Sequence, residues 1–338
     1  MAKRAHSLTI TGVAAQGSDA ILLSLEVEAG QLQSFRFQSG QYLTLAVSVQ
    51  GNEFWRCYSI TSEPVEGQPI SVLVRRVAGG CVSNWLCDHA RPGQPLKALP
   101  PAGRFTLARP GQPALLYAGG SGIAPIFALI REALAQGAAR VRLFYANRDR
   151  ASAMLLAELE ALHSGACGRL QIEYWYDAEQ GLPSPAVLAA QTQGLEHADA
   201  YLCGPEPFMR AINAGLQVAG FDPLRVHQED FGAAGGQQTE EEAEPDGEAA
   251  QLTVQIKGET HTVPVNAGEV LLAGMLRAGL PAPHACQAGE CASCMCRLLT
   301  GEVQRLESSA LDDDDAAEGW LLACRTRAVS ATLRVRFP

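Results

Sequence analysis

The 338-residue sequence predicts a multidomain protein with an antiparallel β-barrel, then an α/β doubly wound parallel sheet, then a smaller third domain. Residues 7–108 contain short alternating strands between Gly and Pro turns, residues 112–230 alternate strands with helices, and the composition changes sharply at 233–250. The predicted boundaries are 1–110, 111–232, a linker at 233–250, and 251–338.

The first two regions differ in their hydrophobic pattern. SFRF, YLTLAV and ISVLVRRV predict barrel strands. In the second region LLYAGG, VRLFYA, LQIEYWY and AYLCG predict strands of a parallel sheet. Apolar residues at helical spacing predict two of the intervening helices, one from Ile123 to Leu134 before Gly137 and one from Phe208 to Leu216.

The segment 233–250 reads AAGGQQTEEEAEPDGEAA and has six acids and no base. It has no aromatic side chain and no aliphatic one larger than alanine, so burial cannot offset the entropy of ordering it. We expect a flexible acidic linker; an exposed acidic loop is the alternative.

Charge and composition exclude some classes of function. The net charge of −10 argues against a nucleic-acid partner. No apolar run is long enough for a membrane span, and the N-terminus has no signal-peptide pattern, so we expect a cytoplasmic protein. Ten cysteines in a chain of this length are too few for a disulfide scaffold.

Half of these cysteines follow the linker. Cys286, Cys291 and Cys294 have the spacing C-x4-C-x2-C, and Cys324 follows after 29 intervening residues, which is the plant-type [2Fe–2S] pattern. A structural zinc site is the alternative, but it usually needs a second C-x2-C pair or histidines. Cys296 is expected to be a buried thiol and not a ligand.

Residues 251–338 resemble plant-type ferredoxins in QLTVQI, KGETHTVPV, VLLAGMLRAG, LDDDD and WLLACRTR. The resemblance implies an α+β β-grasp fold that carries the cluster on the four cysteines. The family's usual glycine after the second cysteine is Ala292 here.

Two segments of the barrel region carry a second resemblance. RCYSI and VLVRRVAGGCVSNWL together resemble the flavin signature of the ferredoxin–NADP reductase family. Arginine suits a pyrophosphate, tyrosine stacks on a flat ring, and the glycines allow close backbone approach to phosphate. The form GGCVSNWL favours FAD over the FMN of enzymes that resemble phthalate dioxygenase reductase. The resemblance implies the following flavin contacts: Arg56, Cys57, Tyr58, Ser59, Val74, Arg75, Val77, Gly80, Cys81, Val82 and Ser83.

Two more segments resemble the nucleotide motifs of the same family. YAGGSGIAP lies at a strand-to-helix turn, where dinucleotide phosphates bind, and YLCGPEPFM follows a later strand. The resemblance implies that Gly120, Ser121, Gly122, Cys203, Gly204 and Pro205 bind the nucleotide.

The preference between NADH and NADPH is open. Arg148 and Arg150 favour the 2′-phosphate of NADPH slightly, whereas Asp149 lies between them. In HQEDF the resemblance places Glu229 near the flavin and Phe231 over its ring. Ser59, Cys203 and Glu229 are the predicted catalytic residues.

The order of the domains implies a function. We expect electrons to pass from NAD(P)H to FAD, then to the [2Fe–2S] cluster, then to a separate oxygenase, hydroxylase or desaturase protein. The overall resemblance is greatest to the reductase of phenylacetyl-CoA epoxidase, and reductases of ketosteroid hydroxylases and fatty-acid desaturases share the order. The alternative is a non-catalytic redox sensor or regulatory subunit. Asp312 to Asp315 form either an acceptor-docking patch or a solvated turn.

Overall fold

The computed structural model describes residues 5–49, 51–231 and 249–338, and these residues form three main sheets and one small ladder. Residues 233–248 of the predicted linker lie outside the described residues. Ala250, which was predicted to end the linker, already begins a strand. No helix in the described residues is long and apolar enough to cross a membrane.

The first sheet is antiparallel and closes on itself. Its strands are β1 (His6–Gln16), β2 (Ala20–Glu26), β3 (Tyr42–Val49), β4 (Asn52–Ser59), β5 (Ile70–Arg75) and β6 (Pro95–Ala102). They lie in the order β4-β3-β6-β1-β2-β5, and a bridge between Ile60 and Val72 joins the two edges. Alternate residues such as Leu8 and Ile10 point into the barrel core. Helix α1 (Cys81–His89) follows β5.

The prediction of a strand at SFRF was wrong. Residues Ala29–Phe35 form a 3-10 helix, and the chain continues without a strand until Tyr42. Phe35 is buried and packs edge-on against His6. The bridge between Ile60 and Val72 brings the two edge strands of the barrel together without a strand at SFRF.

The second sheet is parallel throughout. Its strands are β7 (Ala114–Gly119), β8 (Val141–Asn147), β9 (Leu170–Tyr176), β10 (Asp199–Cys203) and β11 (Val226–Glu229). Its helices are α2 (Ile123–Ala135), α3 (Leu156–Gly165), α4 (Asp177–Gln180), α5 (Pro185–Ala190) and α6 (Glu206–Val218). The strand order is β11-β10-β7-β8-β9, with an apolar core on each face. The carboxyl ends of all these strands therefore meet at one edge, where ligands bind in such sheets.

The third sheet is mixed and packs on one helix. Its elements are β12 (Ala250–Ile256), β13 (Glu259–Val265), α7 (Leu271–Arg277), β14 (Met295–Thr300), β15 (Val303–Arg305), α8 (Asp313–Ala317), β16 (Trp320–Leu322), β17 (Thr326–Ala328) and β18 (Thr332–Arg336). The strand order is β13-β12-β18-β14-β16, while β15 and β17 form the small ladder. This arrangement confirms the predicted α+β domain, and the loop 278–294 between α7 and β14 carries three of the four predicted ligands.

Candidate functional site

One cavity lies where the three domains meet. Its volume is about 440 Å³, within the usual range for a cofactor or ligand pocket. The barrel, the end of β11 and the loop before β14 all contribute to its wall. The lining residues are Tyr42, Cys57, Ser59, Arg104, Phe105, Thr106, His227, Gln228, Glu229, Asp230, Phe231, Cys286, Ala288 and Glu290.

Strand β4 presents different residues on its two faces. Successive side chains of a strand point to opposite sides, so Arg56 and Tyr58 share one face and Cys57 and Ser59 share the other. Tyr58 packs beside the barrel core, and burial raises the pKa of its hydroxyl. Cys57 and Ser59 line the cavity. Cys57 also packs against the predicted cluster loop, which the sequence motif did not indicate.

The glycine-rich loop after β5 is fixed by its own hydrogen bonds. The Val77 N–H donates to Ser83 Oγ at 3.2 Å, and the Gly80 N–H donates to the Val77 carbonyl at 2.9 Å. A Cβ on Gly80 would lie 2.7 Å from Ser83 Oγ, so this position requires glycine. Val74, Val82 and Ser83 are buried, whereas Val77 and Cys81 are exposed. Helix α1 begins at Cys81 directly after this loop, and the first N–H groups of a helix can bind a phosphate.

Arg75 connects this loop to the nucleotide-binding turn. Its Nε lies 3.4 Å from Asp19 Oδ2. A Cβ on Gly120, which has a φ of +53°, would lie 2.8 Å from an Arg75 guanidinium nitrogen. The predicted flavin contact Arg75 and the predicted nucleotide contact Gly120 are therefore neighbours.

Two strand-to-helix turns approach each other backbone to backbone. A Cβ on Gly122 would lie 2.1 Å from the Cys203 carbonyl oxygen, and one on Gly204 would lie 3.0 Å from Gly119 Cα. The turn after β7 and the turn after β10 therefore need glycine to reach the same edge. Ser121 and Pro205 flank this contact. The two nucleotide motifs, about 80 residues apart in the chain, form one surface.

Cys203 and Glu229 are paired across β10 and β11. The Cys203 side chain is fully buried and does not line the cavity, and burial raises its pKa well above the usual value. Glu229 lines the cavity, and its Oε2 atom is buried with no hydrogen-bond partner among the described residues. Burial, with Glu290 as the second cause, raises the pKa of Glu229 to about 8. Such an unsatisfied buried oxygen fits a site that a cofactor completes.

The two arginines that favour NADPH are already paired with carboxylates. Arg148 Nε lies 3.0 Å from Asp149 Oδ2, and Arg150 Nε lies 2.8 Å from Glu179 Oε1. The Arg150 guanidinium also lies over the Tyr176 ring at 4.6 Å. The preference for NADPH therefore stays a prediction.

The loop from Cys286 to Cys291 turns its backbone N–H groups toward sulfur. The N–H groups of Ala288, Glu290 and Cys291 donate to Cys286 Sγ at 3.4–3.5 Å. Gly289 has a φ of +77°, and a Cβ there would lie 2.6 Å from Arg325 Cγ. Donors of this kind stabilise thiolate ligands and tune the potential of a cluster.

The four predicted ligands form two pairs of thiols. Cys294 Sγ and Cys324 Sγ are 3.2 Å apart, and the sulfurs of Cys286 and Cys291 each accept a hydrogen bond from the other residue's backbone N–H at 3.4 Å. No three His, Cys, Asp or Glu side chains in the described residues converge on a single metal position. Two pairs would fit a two-iron cluster, which takes two thiolates on each iron, better than one tetrahedral zinc. Cys296 is fully buried in β14, as expected.

The ferredoxin-like domain contacts the barrel directly. Ala285 and Cys291 belong to one apolar cluster with barrel residues that include Tyr42 and Trp55. Polar contacts surround this cluster. Tyr42 Oη donates to Glu290 Oε2 at 3.2 Å, and the Arg104 guanidinium lies 3.9 Å from the Glu290 carboxylate and 4.0 Å from that of Glu307. Lys257 Nζ lies 3.1 Å from Asn52 Oδ1. The motifs gave no signal for Tyr42 or Arg104, because each contacts residues about 200 or more positions away.

The four aspartates from Asp312 to Asp315 differ in their contacts and in their exposure. The Asp312 side chain caps α8 by accepting from the Asp315 N–H at 2.7 Å, and Asp315 is only 5% exposed. Asp313 and Asp314 are exposed. A docking role is therefore open only to the exposed members.

Comparison with known proteins defines the class of protein. The chain matches the families described as oxidoreductase FAD-binding domain over residues 7–107, oxidoreductase NAD-binding domain over 116–214 and 2Fe-2S iron-sulfur cluster binding domain over 254–329. The protein is thus an NAD(P)H-dependent oxidoreductase that binds FAD and a [2Fe–2S] cluster, as the sequence predicted.

Relatives along the whole chain define the family. The chain is 36% identical to the 3-ketosteroid-9-alpha-monooxygenase ferredoxin reductase component of Rhodococcus rhodochrous, over 99% of this chain and 97% of the relative. It is 30% identical to a component of the 1,2-phenylacetyl-CoA epoxidase of Escherichia coli K12, over 98% and 97%. Phthalate dioxygenase reductase has the same fold (TM-score 0.60, 22% identity, 98% of each chain). The chain belongs to the family of ferredoxin reductase components of oxygenases.

Proposed function

We propose that this chain takes electrons from NAD(P)H and delivers them one at a time, through a site at the meeting point of its three domains, to a separate oxygenase. The observation that supports this most strongly is the cavity whose wall includes Ser59 from the barrel, Glu229 from the nucleotide domain and Cys286 from the cluster loop. A cofactor bound there would touch all three domains, so electrons would need to cross only short gaps.

The barrel residues would hold FAD. Arg56 and Ser83, with the backbone of the loop at Gly80, would bind the pyrophosphate. Tyr58 would stack on the ring, and Ser59 would donate a hydrogen bond to it. FAD, when bound, accepts two electrons together and releases them singly. Val74 and Arg75 would complete the wall, and Phe231 would cover the ring.

The edge of the parallel sheet would hold the nucleotide. Gly120, Ser121 and Gly122 would face its phosphates, and Gly204 and Pro205 would shape the pocket of the nicotinamide. Glu229 would supply a protonated carboxyl below about pH 8, able to donate a hydrogen bond into the cavity. Cys203 would contact the nicotinamide only after its surroundings open, since it is fully buried.

Cys286, Cys291, Cys294 and Cys324 would ligate the cluster. Cys286 lines the cavity and Cys291 packs with the cavity residue Tyr42, whereas Cys294 and Cys324 belong to the domain core. The cluster edge nearest the cavity would therefore be the one that Cys286 and Cys291 hold.

The acceptor is proposed by analogy with the relatives. Their names assign one to a ketosteroid monooxygenase, as its ferredoxin reductase component, and the other to a phenylacetyl-CoA epoxidase.

All ten cysteines are free, which supports a reducing compartment, and we propose a cytoplasmic location. We also propose the domain boundaries 1–110, 111–232 and 251–338.

Removing one ligand tests the assignment. Cys324→Ala should lose cluster iron and the visible absorption of the cluster, yet still oxidise NAD(P)H with ferricyanide, which can take electrons from the flavin. Cys296→Ala is the matched control, because it removes a buried thiol of the same domain and should retain the cluster. A wild-type protein that fails to oxidise NAD(P)H with ferricyanide would support the sensor alternative instead.

Reconstitution tests the acceptor. The purified chain should support substrate oxidation with the oxygenase of one relative and not with an unrelated oxygenase. Equal failure with ketosteroid and phenylacetyl-CoA oxygenases would exclude both of these acceptors.

A further inference from the structure

The turn between β1 and β2 reaches from the barrel onto the nucleotide domain, where it packs on the loop 148–155. The Ser18 N–H donates to the Ala151 carbonyl at 2.7 Å. Gly17 has a φ of +54°, and a Cβ there would lie 2.8 Å from the Ala153 carbonyl oxygen. The backbones of the turn and of the loop are therefore in direct contact, and a side chain at position 17 would separate them.

The Gln16 side chain holds the end of this loop with both of its polar atoms. Gln16 Oε1 accepts from the Leu155 N–H at 2.9 Å. Gln16 Nε2 donates to Glu158 Oε1 at 2.9 Å, in the first turn of α3. Leu155 has a φ of +56°, a left-handed conformation that is unfavourable for a residue with a bulky side chain. Gln16 thus stabilises a strained residue at the point where the loop becomes a helix.

The same loop carries the residues that were predicted to meet the 2′ position of the nucleotide. Arg148 and Arg150 are exposed on it, with Asp149 between them. The Met154 N–H donates to Tyr145 Oη at 3.0 Å, so the loop is held from the nucleotide domain as well as from the barrel. The shape of the loop, and with it the place of the two guanidinium groups, therefore depends on a contact between domains.

The turn between β1 and β2 also contacts the predicted flavin loop. Asp19 Oδ2 lies 3.4 Å from Arg75 Nε, and the Arg76 N–H donates to the Asp19 carbonyl at 2.8 Å. Arg75 is a predicted flavin contact. Residues 16–19 thus connect the segment predicted to bind the flavin with the segment predicted to meet the far end of the nucleotide.

We propose that Gln16 is a positioning residue for nucleotide binding, which holds the loop 148–155 in the shape that meets the adenosine end of NAD(P)H. This inference rests on the proposed function and on contact of the nucleotide with Arg148 or Arg150. A loop that is already ordered loses less conformational entropy when the nucleotide binds, so Gln16 lowers the KM. Because the reacting nicotinamide is at the other end of the nucleotide, kcat should not depend on Gln16.

The test is the affinity of the oxidised holoprotein for NAD+ and NADP+, measured by calorimetry, together with kcat and KM for NADH and NADPH with ferricyanide. Gln16→Ala removes two hydrogen bonds that order the loop, so the Kd and KM of the preferred nucleotide should rise about three- to tenfold. The kcat should change by less than about twofold. Hydrogen exchange of the loop amides should become faster in the same variant.

Gln31→Ala is the matched control, because the Gln31 side chain donates to Glu28 within the barrel at 3.4 Å. It should leave the Kd, the KM and the exchange of the loop unchanged.

A reciprocal exchange separates the hydrogen bonds from the packing. Gln16→Glu alone keeps the acceptor for the Leu155 N–H but places a second carboxylate against Glu158, so the Kd should rise. Adding Glu158→Gln restores a donor between the two side chains, and the Kd should return to within about twofold of the wild-type value.

Unchanged Kd and KM in Gln16→Ala would overturn the inference, and so would a double variant that binds no better than Gln16→Glu. If Gln16→Ala does not fold, the comparison of Gln16→Glu with the double variant decides between the same two outcomes. A wild-type protein that neither binds NAD+ or NADP+ nor oxidises their reduced forms would contradict the proposed function itself, which distinguishes the two failures.

Discussion

Tyr42 of the barrel donates a hydrogen bond to Glu290 of the cluster loop, across 3.2 Å and 248 residues of chain. Glu290 lies directly before the predicted ligand Cys291, and Tyr42 is 7% exposed. This bond ties the position of the cluster to the wall of the cavity.

Tyr42→Phe should therefore loosen the docked arrangement and slow electron transfer from flavin to cluster. A hydrogen bond contributes roughly 0.5–1.5 kcal/mol, so a fall of up to about tenfold is expected. Anaerobic stopped-flow absorption measures this step. Tyr174→Phe, a half-buried tyrosine of the nucleotide domain, is the matched control. An unchanged rate in Tyr42→Phe would mean that the bond does not limit docking.

Glu229 predicts a pH dependence of stability. Its pKa in the folded protein, about 8, lies above its ordinary value of 4.5, so the folded chain binds this proton more tightly than the unfolded chain. Stability from this group is full below about 4.5, falls as the pH rises toward 8, and falls no further above it. Cys203 and Glu290 interact with the same group.

Glu229→Gln should remove this contribution. The melting temperature of the variant minus that of the wild type should increase as the pH rises from about 5 to 8. Above about pH 8 this difference should stay constant. Exposed Glu160→Gln serves as control. A constant difference across the whole range would contradict the raised pKa.

Ala292 carries strain that the family's usual glycine would not. Its φ is +60°, a left-handed conformation that costs a non-glycine residue roughly 1–2 kcal/mol. Ala292→Gly should slow thermal loss of the cluster and raise the melting temperature by a few degrees. Ala288→Gly, in the same loop but without a positive φ, should not stabilise the protein. A lower melting temperature for Ala292→Gly would show that the methyl group contributes more by packing than it costs in strain.

Asp149 should disfavour binding of the 2′-phosphate of NADPH, because its carboxylate is already paired with the Arg148 guanidinium. Asp149→Asn frees that guanidinium and should improve the ratio of kcat/KM for NADPH to that for NADH about fivefold. Glu179→Gln frees Arg150 in the same way and is the companion variant. If neither variant changes the ratio, the two arginines do not contact the nucleotide.

Asp313 and Asp314 are exposed, as is Asp312, but unlike Asp312 they do not cap α8 and can meet an acceptor. Replacing both by Asn should raise the KM for the oxygenase about three- to tenfold at low salt and by less at high salt. Exposed Glu26 and Glu28 on the barrel, changed to Gln, give a control with the same loss of charge. If both double variants behave alike, only net charge matters and the run is a solvated turn.

The contiguous motifs predicted most of this architecture. RCYSI, YAGGSGIAP and the cysteine spacing each lie within one strand or turn, so their local sequence is enough to indicate their chemistry. Contacts between domains could not be predicted in this way: Tyr42 with Glu290, Arg104 with Glu307 and Cys57 with the cluster loop depend on how three folded units pack. The wrong strand at SFRF has a similar cause, because closure of the barrel is not visible in a four-residue pattern.

The most direct test of the central claim is the rate at which the cluster is reduced after anaerobic mixing with NADH or NADPH. The account predicts that flavin absorption bleaches first and that the cluster is then reduced at a rate independent of protein concentration, since transfer occurs within one chain. A rate that rises with protein concentration, or a cluster that stays oxidised while the flavin is fully reduced, would contradict it.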